Sequence, residues 1–213
     1  MDKSINLPTK IAIFPLSNFI VFPETTVPLN IFEPRYIEMI NDAMSSDRII
    51  GMIQPKNNIQ SKPSLYDIGC AGKITSFNET EDGRYIIILT GISRFKITEE
   101  IKTEKLYRQC KVNFSVFSND LVKKNIEIKF SDLKLIFKDL KNLFMKQGYK
   151  INWEDLEKQS LDQTINTLSM ASPFSLEEKQ ILLETPSLDE RKKKLEEILS
   201  TYNFDNFDNK TIQ

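Results

Sequence analysis

The stretch "VPLNIFEPRYIEMI", residues 27–40, runs without a glycine from a strand-like segment, through a proline, into a helix-like one. "VPLNIF" reads as a short strand that stops at Pro34. Proline is at home in a first helical turn, where its missing N–H would be unpaired anyway. Tyr36, Ile37, Ile40, Ala43 and Met44 then recur at three- and four-residue spacing, which predicts one apolar helical stripe turned toward a core. The stretch is therefore a strand-to-helix joint. Its polar residues leave two readings open. Asn30, Glu33 and Arg35 flank Phe32 and Pro34 at a corner where backbone leaves a strand before a helix can satisfy it. Either Glu33 and Arg35 pair locally and fix the turn, or the corner, with "SNFIVFP" nearby, shows a shallow apolar groove to a partner chain.

Around this joint the first 117 residues read as short strands between turn signals. "KIAIF" stops at Pro15, "FIVF" at Pro23 and "RIIGMI" near Pro55. After a polar loop come "GCAGKITSF", then "RYIIILT", with Asp82-Gly83 between them as a hairpin signal. "SRFKITEEI" and "YRQCKVNFSVF" follow, and in the latter Cys110, Val112, Phe114 and Val116 alternate with polar residues at the strand period. Six to eight short strands with prolines at their ends predict a small, irregular barrel or sandwich.

After Phe117 the period changes from two to that of a helix. Phe130, Leu133, Phe137, Leu140 and Phe144 share one helical face that ends at Gly148, a C-cap residue. Leu156, Leu161, Ile165 and Leu168 define a second face. Ser175 with Glu178, and Ser187 with Glu190, have the spacing of capping boxes. The expected division is a β-rich unit over 1–117, a helical unit over 118–202 and a frayed tail over 203–213.

The residues that carry chemistry are mostly missing. The chain has no histidine among its 213 residues, which excludes imidazole-assisted serine or cysteine hydrolysis and mixed Cys/His zinc sites. Two cysteines, Cys70 and Cys110, sit forty positions apart inside apolar runs and read as buried free thiols. No GxxxxGK[ST] phosphate loop occurs, "AGKIT" lacking both its first glycine and the hydroxyl after lysine, and no GxSxG elbow occurs. Glu99 with Glu100, and Glu177 with Glu178, read as solvated faces, as does "RKKK", Arg191–Lys194, on the wet side of the last helix. Residues 1–117 carry 14 Lys+Arg against 13 Asp+Glu and the remainder 15 against 17. Neither part has the clustered cations that a dedicated nucleic-acid surface needs. No window approaches the length of an apolar membrane span, and the opening residues lack a signal-peptide pattern, so a cytoplasmic protein is expected.

The long segment "FPLSNFIVFPETTVPLNIFEPRYIEMINDAMSSDRIIGMIQP", residues 14–55, resembles the opening of the Lon protease N-terminal domain, the LON or substrate-binding domain, in its stand-alone bacterial form. The resemblance continues through "LYDIGCAGKITSFNETEDGRYIIILTGISRF" and "SMASPFSLEEKQILLE". It implies an α+β fold: a PUA-like β-barrel followed by an all-helical C-terminal part. In the full-length protease this domain precedes an ATPase module and a Ser/Lys peptidase, and is associated with recognising substrates and arranging subunits. Neither module lies within these residues, and the family supplies no catalytic residue here. The resemblance thus implies a non-catalytic module, without cofactor or metal, that binds unfolded or misfolded protein segments, with a protease or chaperone as partner. The expected partner-binding residues are Phe19, Phe22, Asn30, Phe32, Glu33, Arg35 and Tyr36, of which Phe32, Glu33, Arg35 and Tyr36 match the family's recurring motif. RNA binding by the PUA-like barrel is the alternative.

Overall fold

The computed structural model describes residues 7–17, 19–56, 62–122, 133–148 and 152–208, with side chains through Tyr202. The chain divides into two compact units, Met1–Lys123 and Lys124–Gln213.

The first unit is built from β1 (Lys10–Pro15), β2 (Thr26–Ile31), α1 (Pro34–Met44), β3 (Ile49–Ile53), β4 (Ile68–Glu79), β5 (Tyr85–Ile101) and β6 (Arg108–Asn113), followed by a 3-10 turn at Ser115–Leu121. The strands form one six-stranded sheet in the order β2-β5-β4-β3-β1-β6, and an additional β5–β6 pairing closes it. β1 and β3 are parallel, with β2 and α1 in the crossover. β5 is long enough to serve twice: Tyr85–Thr90 pairs with β2, and Lys96–Ile101 pairs with β6. Register shifts at Ala71/Gly72 and Ile74/Ser76 bend β4 against it, as bulges do at barrel corners. Inside the barrel, Ile11, Ile13, Ile53, Ala71, Phe95 and Cys110 form a continuous apolar cluster.

Three strand expectations are corrected. "RYIIILT" and "SRFKITEEI" belong to a single strand, because Gly91 between them marks a close approach instead of a turn. A Cβ there would lie 2.1 Å from the Phe22 carbonyl oxygen. "FIVF" is no strand. Its Ile20, Val21 and Phe22 are buried, and the Thr25 hydroxyl accepts the Phe22 N–H at 3.1 Å while donating to the Phe22 carbonyl at 2.7 Å. That side chain satisfies both backbone groups, so Phe22 needs no ladder. The alternation after Cys110 stops at Asn113. Val116 is exposed, and Phe117 turns inward instead.

The reason lies in a residue that periodicity did not single out. Arg94 is 2% exposed, and its guanidinium donates from Nε at 2.9 Å and Nη2 at 2.8 Å to the two carboxylate oxygens of Asp120. The Arg94 amide also donates to Asp120 Oδ2, and the Phe117 ring lies 4.1 Å from the guanidinium carbon. This fork ties the 3-10 turn to β5. Elsewhere in the unit, Tyr107 donates its hydroxyl to Asp42 at 2.6 Å, Lys105 pairs with the same carboxylate at 2.9 Å, and Arg108 forks onto Glu100. These contacts hold the β5–β6 connection against α1 and brace the two strands.

The second unit contains α2 (Lys134–Lys146), α3 (Trp153–Glu157), α4 (Leu161–Ala171), α5 (Leu176–Glu184) and α6 (Leu188–Asp208). α2 buries Ile136, Phe137, Leu140, Leu143 and Phe144, and Gly148 follows it at φ +74, as an αL cap requires. Phe130, read as part of this face, lies outside the described residues. The second predicted helical face is split between α3 and α4 by side-chain caps at Asn152 and Ser160. Leu156, Ile165 and Leu168 are buried, while Leu161 is half-buried. Ser175 and Glu178 make the full reciprocal capping box. α6 runs through the first residues of the segment read as a frayed tail.

The "RKKK" reading is corrected at its first residue. Lys193 is exposed, but Arg191 is 2% exposed, donating to the Leu182 carbonyl at 2.9 Å and to Asn166 Oδ1. Arg191 is on the side of α6 that meets α4 and α5, where its guanidinium supplies donors to buried acceptors of both. Among the described residues, no helix is long and apolar enough to cross a membrane.

Candidate functional site

The corner after β2 is rigid for reasons visible in its backbone. Glu33 is the extended N-cap of α1, and its carbonyl accepts the amides of Tyr36 and Ile37, both at 2.9 Å. Its side chain does not cap the helix. The carboxylate turns to Arg35, accepting from Nε at 2.9 Å with Nη2 at 2.7 Å. Arg35 in turn lies over the Tyr36 ring, 4.5 Å from its centroid, and Tyr36 packs on Phe14 at 4.3 Å. Burial pushes the Tyr36 phenol above its ordinary value, so it stays protonated at neutral pH. The local pairing reading of Glu33 and Arg35 therefore describes their geometry.

The expected partner-binding residues separate into two groups. Phe22 is 0% exposed and Tyr36 6%, so neither presents a surface, and both leave the candidate set as core residues. Phe32 is the opposite, at 63% exposure. Asn30 and Arg35 are exposed, and Phe19 and Glu33 are partly so. The helical stripe buries Tyr36, Met39, Ile40 and Ala43. Ile37 and Met44 lie at its margins, and Met39 takes the place expected for Ile37.

What the corner belongs to was not singled out from the sequence. β2, the first half of β5 and the second half of β4 form a three-stranded wing, because β3 pairs with β4 only at Cys70–Lys73. One face of the wing is core: Val27, Ile31, Ile87 and Leu89 are buried there. The opposite face is open to solvent. Ile86 and Ile88 are 45% and 36% exposed, with Asn30 and Pro28 directly across on β2 and Asn78 and Ser76 across on β4. Thr90 continues the row, its hydroxyl near those of Thr26 and Thr75. None of these side chains is charged. Two nearby cations are committed, Arg35 to Glu33 and Arg84 to Asp82, while Lys73 stands exposed on β4 across from Thr90 at the end of the row. Away from Lys73 the face is uncharged and partly apolar, which suits contact with apolar or backbone groups and suits phosphate poorly.

Neither cysteine is placed for chemistry. Cys70 and Cys110 are buried free thiols, and burial pushes Cys110 up to about 11, so it is held protonated. Among the described residues, no group of three Cys, Asp or Glu side chains is placed to hold a metal ion.

Comparison with known proteins places these features in a family context. The family model described as the ATP-dependent protease La (LON) substrate-binding domain matches residues 10–201. A Lon protease of Malacoplasma penetrans is 33% identical over 196 residues, which is 85% of this chain and 24% of that protein. A Lon protease of Flavobacterium johnsoniae is 29% identical over 194 residues, 87% of this chain and 23% of that protein. The chain thus spans about a quarter of the length of these curated relatives. Two solved structures share the fold. A Lon N-terminal domain protein from Xanthomonas campestris superposes with a TM-score of 0.63 at 18% identity, covering 91% of this chain and 98% of that one. The N-terminal domain of a Mycobacterium avium complex Lon protease gives 0.60 at 17% identity, covering 90% and 98%.

Proposed function

The chain belongs to the ATP-dependent protease La (LON) substrate-binding domain family, and from that premise we propose that it is a non-catalytic module that captures unfolded or misfolded polypeptide segments. The captured segment passes to a separate protease or chaperone. The observation that carries this reading is the uncharged outer face of the wing, where Ile86 and Ile88 stand exposed between Asn30, Pro28, Ser76 and Asn78. Phe32, exposed at the end of β2, extends it. Exposed apolar side chains in a contiguous, uncharged setting are what a binder of misfolded chains needs, since such clients share apolar content and extended backbone instead of a sequence. Around the wing the RNA-binding alternative lacks the clustered cations it needs, because Arg35 and Arg84 are both paired with carboxylates and Lys73 stands apart from them at the far end of the row.

The test compares the intact chain with Ile88→Glu and Phe32→Glu variants, each checked for a retained fold, in binding fluorescent casein and reduced, carboxymethylated lactalbumin. The expected result is saturable binding by the intact chain and at least tenfold weaker binding by the variants. Equal binding by all three would move the site off the wing. Absence of binding to every denatured client would remove the proposal, and retention of structured RNA at low salt would replace it.

A further inference from the structure

The following rests on the substrate-binding reading above and concerns how a segment is held. Among the described residues β2 is bonded on one side only, to β5, and is an edge of the sheet. The direction of its remaining backbone groups follows from one hydrogen bond. The Thr25 carbonyl accepts the Gly91 N–H at 2.9 Å. Strand alternation then sends the backbone groups of Val27, Leu29 and Ile31 toward β5, and those of Thr26, Pro28 and Asn30 away from it. Proline provides an independent check: a strand accepts it only where the missing N–H would point away from the paired neighbour, and Pro28 sits on the outward parity. Among the described residues, no hydrogen bond takes up these outward groups.

We propose that the outer edge of β2 takes an extended, uncharged segment of a foreign polypeptide as an added antiparallel strand. Thr26 and Asn30 each offer a donor and an acceptor to it, and Pro28 offers its carbonyl. Natural edge strands are guarded by lysine, bulges or a covering element. "TVPLNI" has no lysine, and among the described residues no bulge or covering element guards it; its proline is the only such device there. The proline also chooses between occupants. Pairing β2 with a second copy of itself, with Thr26 opposite Asn30, puts Pro28 opposite Pro28 and leaves the middle of the ladder without a donor on either side. A foreign strand still donates to the Pro28 carbonyl. The uncharged row of Pro28, Asn30, Ile86 and Ile88 beside the edge selects against charged segments, whose desolvation nothing there would offset.

The test uses the full chain and a fluorescein-labelled peptide of alternating threonine and valine long enough to span β2. One backbone amide at a time is N-methylated, and affinity is read by fluorescence polarisation. Strand addition predicts a period of two: methylation at alternate residues weakens binding about tenfold or more, because each removes a donor and places a methyl in the ladder, while methylation between them has little effect. Binding that tolerates methylation everywhere overturns strand addition and leaves capture by the face of the wing. Failure to bind the peptide by a chain that still captures casein also overturns it, whereas failure with both removes the substrate reading itself. A dimer seen by sedimentation that the peptide neither binds nor dissociates would assign the edge to a second copy and overturn the proposal.

Discussion

Two phenylalanines ten positions apart, both candidates for the same surface, have opposite fates, and replacing each by alanine separates core from surface within one experiment. Phe22 is 0% exposed, and its truncation removes a full ring from the packed end of the barrel. Such losses cost about 3–5 kcal/mol. Phe32 is 63% exposed. With roughly a third of a ring of about 200 Å² out of water, and some of that kept by alanine, its truncation costs at most about 1 kcal/mol. The two units carry separate probes. Both cysteines are buried in the β unit, and the single tryptophan, Trp153, packs edge-on between Phe137 and Phe144 in the helical one. Thiol labelling across a urea series therefore reads opening of the barrel, and Trp153 fluorescence reads the helices. For a urea dependence of about 2 kcal/mol per molar, Phe22→Ala should lower the labelling midpoint by about 2 M. Phe32→Ala should leave it within about 0.5 M while weakening capture of casein. Comparable midpoint shifts for both variants would refute the assignment of Phe32 to the surface. A Phe22→Ala shift equal in the fluorescence and labelling transitions would refute the separation of probes.

Three further outcomes follow from the contacts of the β unit and the helical unit. Asp120→Ala takes its carboxylate partner from a guanidinium that is 2% exposed, and should destabilise the barrel by about 3–5 kcal/mol in the same labelling assay. The double variant Arg94→Met/Asp120→Leu should recover most of that loss, and a double variant as weak as the single one would refute the charge argument. Gly91→Ala forces a methyl against the Phe22 carbonyl and should cost about 1–3 kcal/mol, and an unchanged labelling midpoint would show that the crossing segment shifts freely. On acidification the units should diverge. Arg108 and Lys62 hold Glu100 below its ordinary 4.5, and Lys105 and Tyr107 hold Asp42 below 3.8, so their contributions are complete above those values and are lost as pH falls through the depressed ones. Burial raises Asp162 in the helical unit, so its effect has the reverse sign and favours the fold at low pH. Between neutral pH and about pH 3 the thiol-labelling midpoint, read with a dithiodipyridine reagent that reacts with thiols in acid, should fall more than the Trp153 midpoint, and the opposite order would contradict these assignments.

Much of the fold was legible because local signals and packing agree. Pro34 starts α1, Gly148 follows α2 at positive φ, and Ser175 with Glu178 makes the box its spacing announces. The misreadings occur where a distant partner decides. Gly91 looks like a break between strands until the Phe22 carbonyl is seen above it. Phe19–Phe22 has strand composition, but the Thr25 hydroxyl, three residues on, satisfies the backbone of Phe22. Arg191 sits in a run of cations and reads as solvated until the Leu182 carbonyl and Asn166 are placed against it. In each case the deciding atom belongs to a residue that no periodic pattern links to the one misread.

The candidate site was harder to read because an exposed face is defined by what fails to cover it, and composition does not report that. One residue carried more information than a strand terminator would. Pro28 differs from the prolines that end strands, because it lies within the run "VPLNIF" and stands inside β2, not at its end. A proline within a strand implies an edge, since a central strand would lose a ladder bond on one side or the other. It also fixes parity: the residues sharing its parity, Thr26 and Asn30, must turn their backbone groups outward with it, and their side chains share one face. From Pro28 alone, then, the open edge of β2 follows, together with the residues along it that can bond a further strand. Which neighbours flank that edge does not follow, because Ile86 and Ile88 lie across a pairing that joins residues nearly sixty positions apart. The edge is local information and the wing is not, which is why a sequence reading reached the corner at Phe32 and stopped short of the surface beside it.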